Sequence, residues 1–294
     1  MIRKVVCPVA GLGTRMLPAT KVIPKEMLPV VDKPIIQYAL EEAFESGIEE
    51  VIFVTGRGKS AIEDHFDRAY ELEDTLQRKD KVKELGDLAA WLPKPGAVSY
   101  TRQQEPLGLG HAVWCARHLV GDEPFGVMLV DDLMRDDVPS IKQLMDAHER
   151  TGGSVIAVEE VPREHTRRYG ILVPGEDDGQ LVEVKGMVEK PRPDEAPSNL
   201  SVIGRYVLLP EVFRHLDRQE TGAGGEIQLT DAMARMIGSS PFHGLRFRGR
   251  RYDCGDKLGY LEAQIACALE RDDLRSGVGD LLERYRPRSD GSPR

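Results

Sequence analysis

Apolar residues fall along this chain in two rhythms. Short unbroken runs at Val5–Ala10, Val51–Thr55 and Phe125–Val130 have the length and β-branched content of buried strands. Between them apolar residues recur at helical spacing. Pro34 fits the first turn of a helix, where its missing N–H is harmless. Ile35, Tyr38, Ala39 and Phe44 then share one face, and Gly47 offers a stop. Ser60 to about Lys79 predicts one long polar helix with Ile62, Phe66, Ala69 and Leu76 on its buried side. Strands follow at Val98–Arg102 and Val155–Val161, with helices at His111–Leu119 and Ile141–His148. This alternation predicts an α/β fold, a Rossmann-like mixed and mostly parallel sheet flanked by helices. The second half is more varied. It predicts strands at Gly170–Val173, Leu181–Val188 and Val202–Leu209, and helices at Ile227–Ile237 and Leu258–Leu269. There is no internal repeat, and Pro287–Arg294 predicts a disordered end.

A length of 294 residues with 40% hydrophobic content allows a large core. The net charge of −9 argues against broad nucleic-acid binding, which needs a basic face. A small anionic substrate needs only a few local cations and stays open. Cys7, Cys115, Cys254 and Cys267 form no CxxC pair or zinc spacing and read as reduced thiols of a cytoplasmic protein. Lys4, Pro8 and Gly11 interrupt the only early apolar run, so neither a signal peptide nor a membrane span is expected.

The first strand leads into Ala10-Gly11-Leu12-Gly13-Thr14-Arg15, where glycines let backbone N–H groups approach phosphates. Three readings compete. A dinucleotide fingerprint would need a third glycine where Met16 stands, and a P-loop would need GKS or GKT. The third is a nucleotide loop of another design, with cations just downstream. Arg15, Lys21, Lys25 and Lys33 supply them, interleaved with Pro18, Pro24, Pro29 and Pro34. Prolines stiffen such a loop and hold its cations at low ordering cost. On composition alone a charged surface loop fits equally well.

The segment GLGTRMLPATKVIPKEMLPVVDKP resembles the signature of the nucleotide-sugar pyrophosphorylases, and most closely their bacterial UTP–glucose-1-phosphate uridylyltransferase branch. The similarity runs from about Arg3 to Asp273 through RQQEPLGLGHAVWCA, VEKPRPDEAPSNLSVIGRYVL, GAGGEIQLTDA and YDCGDKLGY. It implies one nucleotidyltransferase domain over 1–273. Its half up to about 150 would hold the nucleotide and its half from about 151 the sugar phosphate, with 274–294 as a C-terminal extension. The substrates implied are UTP and glucose 1-phosphate, the products UDP-glucose and diphosphate, the cofactor Mg²⁺, and the assembly a homodimer or homotetramer.

The resemblance also implies roles. Ala10, Gly11 and Gly13 would hold the base and phosphates, and Arg15 the departing diphosphate. Lys25 would contact the α-phosphate and Glu26 the nucleoside. Gln103 and Gly108 would read uracil, the glutamine amide offering both a donor and an acceptor. Asp131 and Asp253 would bind Mg²⁺, while Asp132, Gly170, Glu189, Lys190 and Val202 would face the sugar phosphate. Two positions depart from relatives: Val130 stands where Pro or Gly is usual, and Leu107 where Lys is frequent. A dTTP-dependent thymidylyltransferase is the nearest alternative. A non-catalytic regulatory paralogue is a second, and a nicotinamide dehydrogenase a distant third.

Overall fold

The structure, a computed structural model, describes residues 1–286; Pro287–Arg294, where the sequence predicts a disordered end, lies outside the described residues. Its strands in chain order are β1 (Lys4–Pro8), β2 (Pro29–Val30), β3 (Lys33–Pro34), β4 (Glu50–Thr55), β5 (Val98–Arg102), β6 (Phe125–Met128) and β7 (Asp132–Arg135). They continue with β8 (Ser154–Glu160), β9 (Gly170–Asp177), β10 (Leu181–Glu189), β11 (Leu200–Leu208), β12 (Phe242–Arg246) and β13 (Arg250–Asp253). Nine of them form one sheet in the order β5-β4-β1-β6-β11-β8-β12-β10-β9. The first four run parallel, joined by helical crossovers. Beyond β6 the pairs are antiparallel except for β8 with β12. The architecture is the expected mixed α/β sheet, with its parallel character concentrated in the first half.

Both faces of the sheet are buried, which is why the central strands read as unbroken apolar runs. Val6, Ile52 and Val54 join one core with Val113, Phe125 and Leu216. Val5, Cys7, Val51 and Phe53 join the other with Ile36, Leu40 and Leu144. A smaller third cluster has more bearing on the site. Leu28, Val30, Ile35, Leu133, Tyr252, Cys254, Ala263 and Cys267 pack the end of the proline-rich segment against the β7–β13 ribbon and the helix Lys257–Glu270. Tyr260 and Gln264 of that helix donate to the Pro29 carbonyl, each at 2.5 Å, and Gln264 Oε1 accepts from Val31 N–H. Residues more than 200 positions apart in sequence are thus held together beside the sheet.

The predicted helix from Ser60 to Lys79 is two helices, Ser60–Phe66 and Tyr70–Arg78. Phe66 stacks on Phe53 at 5.3 Å, and the chain turns extended at Asp67 once that contact is made. The second piece buries no residue, and Ala69 and Leu76 are only half-buried. The predicted helix His111–Leu119 is likewise interrupted at Ala116. None of the described helices is long and apolar enough to cross a membrane.

Candidate active site

After β1 the chain steps to β4 and β5 on one side, then returns to β6 on the other side of β1. The loops following β1 and β6 therefore diverge, and in parallel sheets a crevice opens at that switch point beyond the strand C-termini. Ala10, Gln103 and Asp131 all leave their strands at this edge. A cavity of about 590 Å³ lies there, within the range of small-ligand sites. It is lined by Ala10, Gly11, Gly13, Arg15, Lys25, Glu26, Gln103, Gly108 and Asp131, so the structure brings together every predicted nucleotide residue and one predicted metal ligand. Glu226 and Gly255, to which the sequence reading gave no role, join them.

The proline-rich segment folds as three short 3-10 turns, at Thr14–Met16, Ala19–Lys21 and Lys25–Met27, closed by the β2–β3 hairpin. Gly13 has φ +65°, and a Cβ there would stand 3.1 Å from the Lys25 Cβ. Only glycine allows both the left-handed turn and this approach. The fold of the loop thereby places Lys25 under the glycines, with Nζ 2.5 Å from Asp131 Oδ2 and Arg15 Nη2 at 3.8 Å from the same oxygen. Burial opposes charge on the Asp131 carboxyl, but Lys25 and then Arg15 hold it below its ordinary range. Burial likewise works against the Lys25 ammonium, and Asp131 and Glu26 hold its pKa above the usual value. Lys21 is exposed and Lys33 pairs with Glu41, so neither joins the cavity.

Glu26 is fully buried, with Oε2 2.7 Å from Lys59 Nζ and Oε1 without a hydrogen-bond partner. Burial raises its pKa against the opposing charges of Lys59 and Lys25. Lys59 was not singled out from the sequence, because one lysine before a polar helix carries no signal.

The Nucleotidyl transferase family model matches residues 5–268. The chain belongs to the nucleotidyl transferase family. Among relatives of this nucleotidyl transferase, the UTP--glucose-1-phosphate uridylyltransferase of Komagataeibacter xylinus is 55% identical over 257 residues, covering 87% of this chain and 90% of the relative. The enzyme of the same name from Bacillus subtilis (strain 168) is 50% identical over 288 residues, covering 96% of each. The solved structure of a UTP-bound UGPase from Acinetobacter baumannii superimposes with TM-score 0.89 at 41% identity, covering 97% of this chain and all of that one.

The predicted sugar-phosphate residues of this nucleotidyl transferase divide. Gly170, Glu189 and Lys190 come together where β9 and β10 pair. Glu189 Oε2 and Thr230 Oγ1 stand 3.2 and 3.0 Å from the point where a Gly170 side chain would begin. Lys190 Nζ lies 3.2 Å from Glu189 Oε1. Its backbone has φ +48°, held by an N–H bond to the Tyr169 carbonyl, a conformation that costs a non-glycine residue roughly 1–3 kcal/mol.

Two of the predicted sugar-side residues have side chains engaged inside the fold. Asp132 is no free sugar ligand: Oδ1 is 2.7 Å from Arg251 Nη2, and Oδ2 accepts from Gly204 N–H at 2.9 Å. Its carboxylate is committed to tying β11 and β13 to the Asp131 turn. Val202 is a buried core residue on β11, paired with Val158. Its apolar strand neighbours explain both its sequence pattern and its burial.

Asp253 faces both regions. Oδ1 accepts from Gly255 N–H at 3.0 Å, and Oδ2 lies 3.4 Å from Arg168 Nη2. A Cβ on Gly255 would stand 2.6 Å from Arg15 Nη2, 2.8 Å from Asp131 Oδ2 and 3.1 Å from Asp253 Oδ1. The two carboxylate oxygens therefore lie within about 6 Å of each other. Burial raises the Asp253 pKa, with Asp132 and Asp131 adding to it against Arg251 and Arg15. Among the described residues no group of three or more His, Cys, Asp or Glu side chains could hold a metal ion by itself. A pair of hard oxygen donors does fit an ion such as Mg²⁺, which keeps few protein ligands and completes its shell with water and phosphate.

The turn carrying Asp131 is clamped from below. Arg205 is 1% exposed; it pairs with Glu42 at 2.6 Å and donates to the carbonyls of Leu129, Gly204 and Asp132. Glu42 also accepts from Ser140 Oγ and Ile141 N–H. Val130, between Leu129 and Asp131, is buried and joins the core with Met128 and Met134.

Proposed function

We infer that the chain is a UTP–glucose-1-phosphate uridylyltransferase: UTP and glucose 1-phosphate become UDP-glucose and diphosphate. The observation that carries the reading is the cavity at the β1/β6 switch point, where Arg15, Lys25 and Asp131 converge beneath the glycine loop. Loop glycines and two cations suit a triphosphate. The strand-end cluster of Glu189, Lys190, Gly170 and Thr230 suits a sugar phosphate, with a carboxylate for hydroxyls and an ammonium for the phosphate.

A phosphate oxygen of glucose 1-phosphate attacks the α-phosphorus of UTP, and diphosphate leaves opposite. The nucleophile is already anionic, so no general base is needed. The protein's work is to position two polyanions and offset their repulsion. Lys25 faces the α-phosphate, Arg15 the departing diphosphate, and Lys190 the incoming phosphate. Mg²⁺ held by Asp131 and Asp253 would supply charge neutralisation between the phosphates. Four free cysteines among the described residues suit the reducing cytoplasm as the compartment in which the enzyme works. The apolar faces of the helices Lys257–Glu270 and Arg275–Arg284, with Leu261, Ile265, Leu281 and Tyr285 around one groove, suit self-association as a dimer or tetramer. Light scattering checks this; a monomer at all concentrations would refute it.

The deciding experiment is a diphosphate-release assay over UTP, dTTP, CTP and ATP with several sugar 1-phosphates. UTP with glucose 1-phosphate is expected to give the highest kcat/KM. Preference for dTTP would move the chain to the thymidylyltransferases, and UTP binding without turnover would mark a regulatory paralogue.

A further inference from the structure

Gln103 lines the nucleotide cavity and is 6% exposed. Its Nε2 lies 3.0 Å from the Gly108 carbonyl oxygen and 3.0 Å from His111 Nδ1. An amide nitrogen has two hydrogens to give, and two acceptors take both. The oxygen Oε1 alone remains for a ligand. The donor-and-acceptor role expected from the sequence is therefore reduced to an acceptor.

The Gly108 carbonyl can only accept, so it fixes which end of the amide is nitrogen. His111 closes the second donor. It sits in the first turn of the helix Leu109–Cys115, its ring stacked on Trp114 at 5.6 Å. Nδ1 faces an amide N–H at 3.0 Å, so it accepts in the tautomer that carries its proton on Nε2, and burial, with Glu105 opposing and Arg117 reinforcing, lowers the ring's pKa and favours that neutral form.

We propose that His111 is a positioning residue for base selection: by accepting from Gln103 Nε2 it leaves the cavity facing only the amide oxygen, which selects a pyrimidine bearing a ring N–H. Uracil and thymine carry N3–H and can donate to that oxygen. Cytosine presents a bare N3 lone pair, and acceptor against acceptor leaves both unsatisfied. Without His111 the second amide hydrogen is free to reach the base, and cytosine gains a donor.

This inference rests on the reading of Gln103 as the base reader. The test measures kcat/KM for UTP, dTTP and CTP in wild type, His111→Phe, His111→Asn and Gln103→Ala, with a thermal melt for each. For His111→Phe the UTP/CTP ratio is expected to fall at least about tenfold, mainly through KM, while the UTP/dTTP ratio stays within about twofold. His111→Asn, whose side-chain oxygen can accept, is expected to recover part of the UTP/CTP ratio and keeps the test open if the phenylalanine variant does not fold. An unchanged UTP/CTP ratio in folded His111 variants, with a collapsed ratio in Gln103→Ala, would overturn the role of His111 alone. An unchanged ratio in Gln103→Ala would overturn the base-reader assignment beneath it.

Discussion

Adding a single methyl group at Gly255 tests the geometry of the site more sharply than deleting a charge. The new Cβ would stand 2.6 Å from Arg15 Nη2, 2.8 Å from Asp131 Oδ2 and 3.1 Å from Asp253 Oδ1. Ordinary contact begins near 3.4 Å, so these groups must withdraw by about 0.8, 0.6 and 0.3 Å. Arg15 can yield at its exposed end, whereas Asp253 is held by Gly255 N–H and Arg168. Gly255 has no positive φ, so alanine meets no backbone penalty. The cost to stability should stay at or below about 1–3 kcal/mol, the range for modest overpacking. The cost to catalysis is larger, because a misplacement approaching 1 Å at the reacting groups costs on the order of 10²-fold. Gly255→Ala should therefore lose about 10²-fold in kcat/KM, or about 2.7 kcal/mol of transition-state stabilisation. Diphosphate release under saturating Mg²⁺ measures the rate, and a melt reports the fold. A folded variant with wild-type kcat/KM would show that Arg15, Asp131 and Asp253 do not act around this point.

Lys190→Ala should raise KM for glucose 1-phosphate at least about tenfold while moving KM for UTP little, the loss of one charge-assisted contact; equal losses for both substrates would remove Lys190 from the sugar side. Asp131→Asn should cut Mg²⁺-dependent turnover by about 10²–10³-fold or more with the fold retained, read by diphosphate release and circular dichroism. Glu42→Ala leaves Arg205 buried without its partner, and should cost roughly 3–5 kcal/mol in a denaturant melt; a loss under about 1 kcal/mol would mean the clamp on the Asp131 turn is dispensable.

Much of the fold was legible because parallel strands buried on both faces write themselves as apolar runs. Val5–Ala10, Val51–Thr55 and Phe125–Val130 are such runs. β12 and β13 were not, because Phe242-His243-Gly244-Leu245-Arg246 and Arg250-Arg251-Tyr252-Asp253 dilute the pattern with glycine and charge. That the loop residues meet at one cavity was legible because the family motif is contiguous there. The engagement of Asp132 inside the fold was not, since a side chain's partners can lie far away: Arg251 is 119 positions from Asp132. Gly255, Glu226 and Thr230 sat within recognised motif blocks, yet glycine and threonine signal little until the neighbours they approach are visible. The pairing of Glu26 with Lys59, and of Gln103 with His111, likewise needed coordinates.

The central claim is a single direct displacement at the α-phosphorus, driven by positioning and charge with no covalent enzyme intermediate. UTP made chiral at the α-phosphorus by sulfur substitution tests it, with the configuration of the resulting UDP-glucose thio-analogue read by ³¹P NMR. Inversion is the predicted result. Retention would require two successive displacements through an enzyme-bound uridylyl group, and would contradict the account.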